Sequence, residues 1–586
     1  MKNILFLFIL LTFSNSYSNY STPGTGRSWT LDSLVAFSSG NVTFSGGNYL
    51  FNDTINITAG DTIKILNNAT LKFSTGVFID IFGIMIVNPT DSVKITAQDT
   101  TTKYLGLKFE DLSDGSILKK TIMEYGNSIR MLDCNILIDS CTIRYNTLNS
   151  SFGSGAINFF RSNSIVSNCK IFRNRRAAIA SGANIASSPQ ILNNLIYEND
   201  TENANVPQIN FGATGPTPMI IRGNTIIGSP IMSGGISFFP VGTIPQLIIE
   251  NNIIKKNRYG IAIGGGSSNV YINNNVIDSN NIQGSPTLGG SGINFNGAAT
   301  QKSVVTRNII RGNLWGITIQ GTAKPNMGDL NSVDTSDAGL NQIYSNGNSG
   351  KIFDLFNNTT DSIKAENNYW GTGIIDSVEA HIFHKADSSV LGFVDFLPLR
   401  SVKVSLKVLM EGMFDPSSNT LARKDSVTVY LRNNFAPFAL VDSAKATIDT
   451  LSFLNTFSFT SAGSGTYYIV AKHFNCIQTW SKSGGEALDV TGPAVVQDFV
   501  ISNANAFGNN EVLKGSSYCM FSGDVNQDEA VDVSDIVDIY NDVTASATGV
   551  LLKTDLNADD VTDVTDLLIG NNNSVNFVRV VSPLNP

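Results

Sequence analysis

One phrase returns through the middle of this chain: "DSCTIRYN", "SNCKIFRN", "LNNLIYEN", "RGNTIIGS", "ENNIIKKN", "NNNVIDSN", "TRNIIRGN". Aligned on Cys141, Cys169, Asn194, Asn224, Asn252, Asn275 and Asn308, its copies are 28, 25, 30, 28, 23 and 33 residues apart. A second β-rich phrase follows most copies ("SGAINFF", "GGISFF", "YGIAIG", "WGITIQ"), and a third precedes the next asparagine ("NSIVSN", "TPMIIRGN", "SNVYINNN"). Three short Ile- and Val-rich runs per period, separated by Gly and Asn, leave few folds open. A helical solenoid fails, because no copy holds ten residues of 3.6 periodicity and Asn and Gly are poor helix formers. A propeller blade needs about 40 residues. The remaining solution is a parallel β-helix, whose coils stack about 4.8 Å apart so that equivalent residues lie above one another. The aligned asparagines then form an internal ladder at a corner, with Cys141 and Cys169 as buried free thiols in the same row.

Over residues 28–400 this repeat resembles the pectin-lyase-like right-handed β-helix family, by pattern rather than by a catalytic motif. Residues 28–118 carry the same β runs in looser register and supply the first coils and the N-terminal cap. The stretch "ENNYWGTGIIDSVEAHIFHKADSSVLGFVDFLPL" breaks the rhythm with Trp370, Phe383 and Phe396, as an aromatic cap over the last coil must. His381 and His384 within it read as cap-surface residues, since no third metal ligand lies near them in the sequence.

Counting from each ladder residue, position +2 is nearly always Ile and points inward, so position +3 faces outward. That outer row reads Arg144, Phe172, Tyr197, Ile227, Lys255, Asp278 and Arg311. Arg144, Phe172 and Tyr197 are its candidates for substrate binding. Lys255, Asp278 and Arg311 are its catalytic candidates, because lyases of the resembled fold combine a basic residue that removes a proton with carboxylates or Ca²⁺ that stabilise the anion. The plain reading of the same row is a solvated strand face. Longer connections after Tyr145, Glu198 and Asp278 fall in alternate coils and are placed to wall a groove.

Residues 401–517 change character. "SVKVSLKVLMEGMF", "DSVTVYLRN" and "GTYYIVAKHF" alternate apolar and polar residues between turn signals, the half-buried antiparallel pattern of a β-sandwich. Tyr468 and Trp480 there suit either a core or a sugar contact.

Residues 521–575 hold two acidic loops, "GDVNQDEAVDVSD" and "TDLNADDVTDVTD". Asp524, Asn526, Asp528, Asp532 and Asp535 occupy positions 1, 3, 5, 9 and 12 of a twelve-residue window, and Asp555, Asn557, Asp559, Asp563 and Asp566 repeat them. That is the spacing at which an EF-hand-type loop wraps oxygen ligands around Ca²⁺, with position 7 (Ala530, Val561) giving only a backbone carbonyl. Position 6, normally a Gly of positive φ, is Glu529 and Asp560, so the first loop is expected to be the more strained. A helical pattern follows each loop, with Ile536, Ile539 and Tyr540 in i, i+3, i+4 register. This duplicated loop–helix unit resembles a type I dockerin, which implies a Ca²⁺-folded docking module for a cohesin-like protein or a cell-surface component. Loop positions 10 and 11, here Val533, Ser534, Val564 and Thr565, are the partner-recognition positions the resemblance implies.

The tail also accounts for the acidity. Phe521–Val575 carries twelve Asp or Glu against one Lys, a net charge of −11, set against −9 for all 586 residues, so the remainder is close to neutral. No basic patch asks for a nucleic-acid partner. "MKNILFLFILLTFSNSYS" reads as a signal peptide over residues 1–18, its apolar run too short for a membrane span, and no second run gives the mature chain a transmembrane segment. Five cysteines are too few for a disulfide framework, and Cys476 with Cys519 is the pair open to bridging in an oxidising compartment. The expected architecture is therefore mainly β: a β-helix solenoid, a β-sandwich and a small α-helical calcium-loop domain. The expected function is that of a secreted or cell-surface modular protein of polysaccharide degradation, whose β-helix binds an acidic glycan and, if catalytic, is a polysaccharide lyase or glycoside hydrolase. The alternative is a non-catalytic cell-surface or adhesion scaffold.

Overall fold

The alternation within each repeat sets the architecture. In the computed structural model, which describes residues 19–146, 155–182, 184–240, 246–286, 288–490 and 492–585, Thr142–Arg144 pairs in parallel with Lys170–Phe172. That strand pairs with Leu195–Tyr197, and the series continues coil by coil to Gln342–Tyr344. Ile143, Ile171, Ile196, Ile226, Ile254, Ile277, Ile310 and Ile343 stack in this register, and all are fully buried. Each contributes roughly 1.5–3 kcal/mol by leaving water. The expected signal peptide, residues 1–18, lies outside the described residues.

The chain divides into two compact units, Met1–Asn368 with Ala380–Leu397, and Tyr369–Glu379 with Pro398–Pro586. Three long sheets run through the first unit: 14 strands from Tyr20–Ser21 to Ile382–Phe383, 13 from Val42–Ser45 to Gln342–Tyr344, and 11 from Ser28–Trp29 to Gln301–Thr306. Among the described residues their pairing is parallel, except between Val42–Ser45 and Asn48–Phe51. A short helix, α1 (Leu31–Phe37), stands near the start, capped by the Thr30 hydroxyl and burying Leu31 and Leu34.

Two asparagine ladders, not one, hold the corners. In the first, the backbone N–H of each residue from Cys169 onward donates to the Oδ1 of the asparagine one coil on, through Asn194, Asn224, Asn252, Asn275, Asn308 and Asn341 to Asn368, at 2.9–3.0 Å. The second runs five residues later in each coil, through Asn146, Asn174 and Asn199 and again through Asn257, Asn280, Asn313 and Asn346. One coil lacks its asparagine, having Ser229 at that corner, and Gln208 fills the rung. Its Oε1 accepts from Asn199 Nδ2 at 3.0 Å, and its Nε2 donates to Asn257 Oδ1 at 3.1 Å. A left-handed residue precedes most rungs, for example Asn193, Asn251 and Asn274 in the first ladder and Glu198, Lys256 and Ser279 in the second. Such a conformation costs a non-glycine residue roughly 1–2 kcal/mol, which the rung's hydrogen bonds offset.

His384 departs from the surface position expected of it. It is fully buried and its Nδ1 accepts the Val394 N–H at 2.9 Å. The end of the solenoid has to satisfy its last strand edges internally, and His384 does so. All five cysteines are buried free thiols; the open option of a Cys476–Cys519 bridge is not taken.

In the second unit, after α2 (Ile375–Glu379), Val402–Lys407 pairs antiparallel with Leu454–Phe459 and parallel with Val495–Asp498. A second sheet places Asp425–Asn433 between Leu440–Ile448 and Gly465–Lys472. Val402, Val404 and Leu406 share one core with Val427, Val429 and Leu431. The parallel pair corrects the antiparallel expectation, and the long connection before Val495 supplies the crossover that parallel pairing needs. Tyr468 and Trp480 are buried, with ring centroids 5.6 Å apart, so they are core residues and not sugar contacts. Two helices close the chain, α3 (Val533–Ala545) and α4 (Val564–Val575). Ile539 packs with Val525 and Leu556, whereas Tyr540 is 55% exposed and does not join that core.

Candidate functional site

The outer stripe is continuous. Arg144, Phe172, Tyr197, Ile227, Lys255, Asp278 and Arg311 are register partners on successive strands of the 13-stranded sheet, and Tyr344 extends them. Its side chains are largely engaged with one another. Phe172 and Tyr197 stack face to face, centroids 4.7 Å apart and planes within 6°, so each ring covers one face of the other. The Arg144 guanidinium pairs with Glu124 at 2.8 Å and lies 6.0 Å from the Phe172 centroid. Asp278 takes Arg311 at 3.0 Å and the Ser279 hydroxyl at 2.6 Å, and Arg311 also donates to the Tyr344 hydroxyl. Lys255 is the register neighbour of Asp278. The stripe thus brings the six candidate residues into one line, with Asp278 already holding a cation.

The acidic loops are built around their own backbone. Asp524 Oδ1 and Asn526 Oδ1 both accept the Asp528 N–H, at 3.1 and 2.8 Å. Asp535 accepts the N–H groups of Val525, Asn526 and Asp532. The second loop repeats this: Asp555 accepts from Ala558, Asp559 and Asp560, Asn557 accepts from Asp559, and Asp566 accepts from Leu556, Asn557 and Asp563. Asp532 and Asp563 cap α3 and α4 in capping boxes with Asp535 and Asp566. Burial first, and then the Asp535 and Asp528 charges, push the Asp524 carboxyl up to about 7. The donor set fits a hard divalent cation: an oxygen from every expected position, gathered charge, and a position 6 at φ +78° in Glu529 and +69° in Asp560. Among the described residues, no group of three or more His, Cys, Asp or Glu side chains is placed to hold a metal ion. When bound, Ca²⁺ would supply the counter-charge that these carboxylates lack.

Why position 6 is acidic becomes visible from its partners. Glu529 accepts from Gln478 Nε2 at 2.9 Å, and Asp560 accepts from Arg423 at 3.1 Å. Both partners come from the preceding β domain, so each loop is latched to it by the residue where a Gly would offer nothing. Arg423 also lies 3.7 Å from Asp555, a cation already at the second loop's first ligand. Of the partner-recognition residues, Val533, Ser534, Val564 and Thr565 are all exposed. Between α3 and α4, Ile536, Val537, Tyr540, Val564 and Leu568 line an open apolar groove of about 370 Å³.

A family model described as a right handed beta helix region matches residues 82–277. The fold is a right-handed parallel β-helix. No curated protein sequence matches the chain. Similar solved structures include a mutant of the periplasmic alginate epimerase AlgG, 14% identical over 63% of this chain and 83% of that one, with a TM-score of 0.28. The Dettilon tailspike protein is 14% identical over 74% of this chain and 73% of its own, with a TM-score of 0.29. A type II cohesin–X-dockerin complex from Acetivibrio cellulolyticus matches 29% of this chain and 94% of its own at 18% identity and a TM-score of 0.19. Among the described residues, no helix is long and apolar enough to cross a membrane.

Proposed function

We propose that this is a secreted modular protein of polysaccharide breakdown, in which the β-helix holds a glycan and the C-terminal loops form a Ca²⁺-dependent docking module. The observation that carries the reading is the pair of five-oxygen loops, each ending in a capping box and together presenting an exposed apolar groove between two helices. A groove of that kind suits a cohesin-like protein or a cell-surface component, with Val564 in its lining and Val533, Ser534 and Thr565 exposed at the starts of the same two helices. On the 13-stranded sheet, the Arg311–Asp278 ion pair favours glycan binding over catalysis, because each of its charged groups is already engaged with the other. Arg144, Phe172, Tyr197 and Lys255 extend that binding row.

The test has two arms. Calcium titrated into the metal-free chain should order α3 and α4, read by far-UV circular dichroism, with two binding events by calorimetry. A panel of uronate-containing polysaccharides should be retained by the chain, with unsaturated and reducing ends recorded in parallel. Loss of retention in Lys255→Ala places binding on the stripe. No calcium binding by the loops removes the docking reading.

A further inference from the structure

The 11-stranded sheet turns an apolar row outward. On the strands before Gln190–Leu192 the row reads Ile86, Ile117, Leu137 and Ile165, register partners one coil apart. On the strands after it, the row reads Ile220, Ile248, Tyr271 and Val304. All eight are half-buried, while alternate residues such as Leu118, Ile138 and Val166 point inward and are fully buried. Gln190, the register partner of both Ile165 and Ile220, is the one polar member. The row starts beyond Lys64 and stops before Asn326 and Lys364, so a lysine stands past each end.

The preference of strands for aliphatic residues does not account for this row, because the other outward faces of the same solenoid are not apolar. The 14-stranded sheet turns Asp80, Lys108, Arg130 and Asn158 outward on successive strands, and the 13-stranded sheet carries the stripe. Polar residues flank the apolar row on both sides. Asn135, Asn163, Gln246 and Lys302 stand two residues before its members, and Lys119, Asp139, Arg222 and Glu250 two residues after. An apolar strip inside a polar rim is the anatomy of a contact between proteins. Toward one end, Pro218, Ile248, Tyr271, Lys302 and Val304 line an open hollow of about 350 Å³, room for an incoming apolar side chain.

We infer that this face pairs with the same face of a second copy of the chain. Extent is the first reason. The row crosses nine strands, from Ile84–Val87 to Gln301–Thr306. At about 4.8 Å per coil it is about 38 Å long, and with its two rims about 20 Å wide. That is roughly 750 Å², and a stable pair buries about 800 Å² per partner. Symmetry is the second reason. Gln190–Leu192 is the middle strand, with four on either side. A two-fold axis through it, in the plane of contact and along or across the row, sets Gln190 against its own copy and each apolar member against an apolar one. An amide both donates and accepts, so two facing Gln190 side chains satisfy one another, which an unrelated apolar surface would not do. The pairing uses a different face from the stripe and stands whether or not the β-helix holds a glycan.

The test is sedimentation equilibrium of the full chain over a hundredfold range of concentration. The expected result is a two-chain species that Ile165→Lys and Ile248→Lys each weaken at least tenfold, with the melting of the dilute chain unchanged. All five native cysteines are buried, so a thiol placed on the surface reacts alone. Gln190→Cys should therefore give a two-chain product with a short bismaleimide, and Ser237→Cys, on the 14-stranded face, should give none. That arm holds even if the lysine variants fail to fold. A chain that stays single at every concentration, a pair indifferent to both lysines, or no product from Gln190→Cys overturns the inference. So does a single chain that floats with phosphatidylcholine vesicles and ceases to with Ile248→Lys, which would assign the face to a lipid surface.

Discussion

Asp354 closes the second asparagine ladder onto His381. Its Oδ1 accepts both the Asn346 N–H, at 3.1 Å, and Asn346 Nδ2, at 2.9 Å, while its Oδ2 lies 3.2 Å from His381 Nδ1. A ladder of amides passes its hydrogen bonds in one direction, so its end needs a group that only accepts, and an ionised carboxylate is that group. Burial holds the Asp354 carboxyl above its ordinary value, and the His381 and Asn346 contacts offset only part of that rise. Asp354→Leu should cost about 2–4 kcal/mol by leaving Asn346 unpaired, measured by denaturant unfolding, while Asp354→Asn should cost less.

Gln208 offers a sharper version of the same test. It reaches across a coil that has no asparagine at the corner, so Gln208→Ala leaves donors on Asn199 and the acceptor of Asn257 unsatisfied. The expected loss is about 2–3 kcal/mol. Gln208→Asn should lose nearly as much, because the shorter side chain cannot bridge both neighbours; a Gln208→Ala chain as stable as the unaltered one would show that the rung is unimportant.

Arg423 should set the two acidic loops apart in their response to calcium. It holds Asp560 and stands beside Asp555, so calcium entering the second loop has to displace it. Arg423→Gln is expected to tighten one of the two calorimetric binding events and leave the other unchanged. An unaltered isotherm would mean that the arginine does not compete.

Glu511 predicts a pH dependence of folding in the second unit. Both carboxyl oxygens are buried without a hydrogen bond, and burial pushes the group up to about 9 from an ordinary 4.5. Below about pH 4.5 folded and unfolded chains both hold the proton, and the group is neutral to stability. Above it the unfolded chain releases a proton that the folded chain keeps, so stability falls as pH rises, by roughly 3 kcal/mol at pH 7. Glu511→Gln should flatten that slope between pH 5 and 8 in denaturant melts.

Most of the solenoid was legible because its signal is additive. The inward isoleucines and the outer row follow from one alignment of seven phrases, and the register pairs them as the spacing predicts. The second ladder was present in the same phrases, at the asparagine five residues after each aligned position. It hides because one copy reads Ser229 there and its substitute, Gln208, comes from the bend before Ile209–Phe211. The charged row of Asp80, Lys108 and Arg130 lies where the coils are loosely phased, so no constant spacing brings those residues together before the strands are paired. The buried state of His384 depends on the fold of the cap and leaves no periodic trace. At Glu529 and Asp560 the departure from Gly was visible, but its reason was not, since the partners Gln478 and Arg423 are far away in the chain.

In every coil that carries both asparagines the two corners are five residues apart, whereas the distance from one coil to the next varies from 23 to 33 residues. All of that variation falls in segments outside the rungs, so the rungs act as a ruler that is indifferent to what is hung between them. Such a molecule can exchange, lengthen or shed its outer segments one coil at a time without renegotiating its interior. Its recognition properties are thus free to change faster than its backbone.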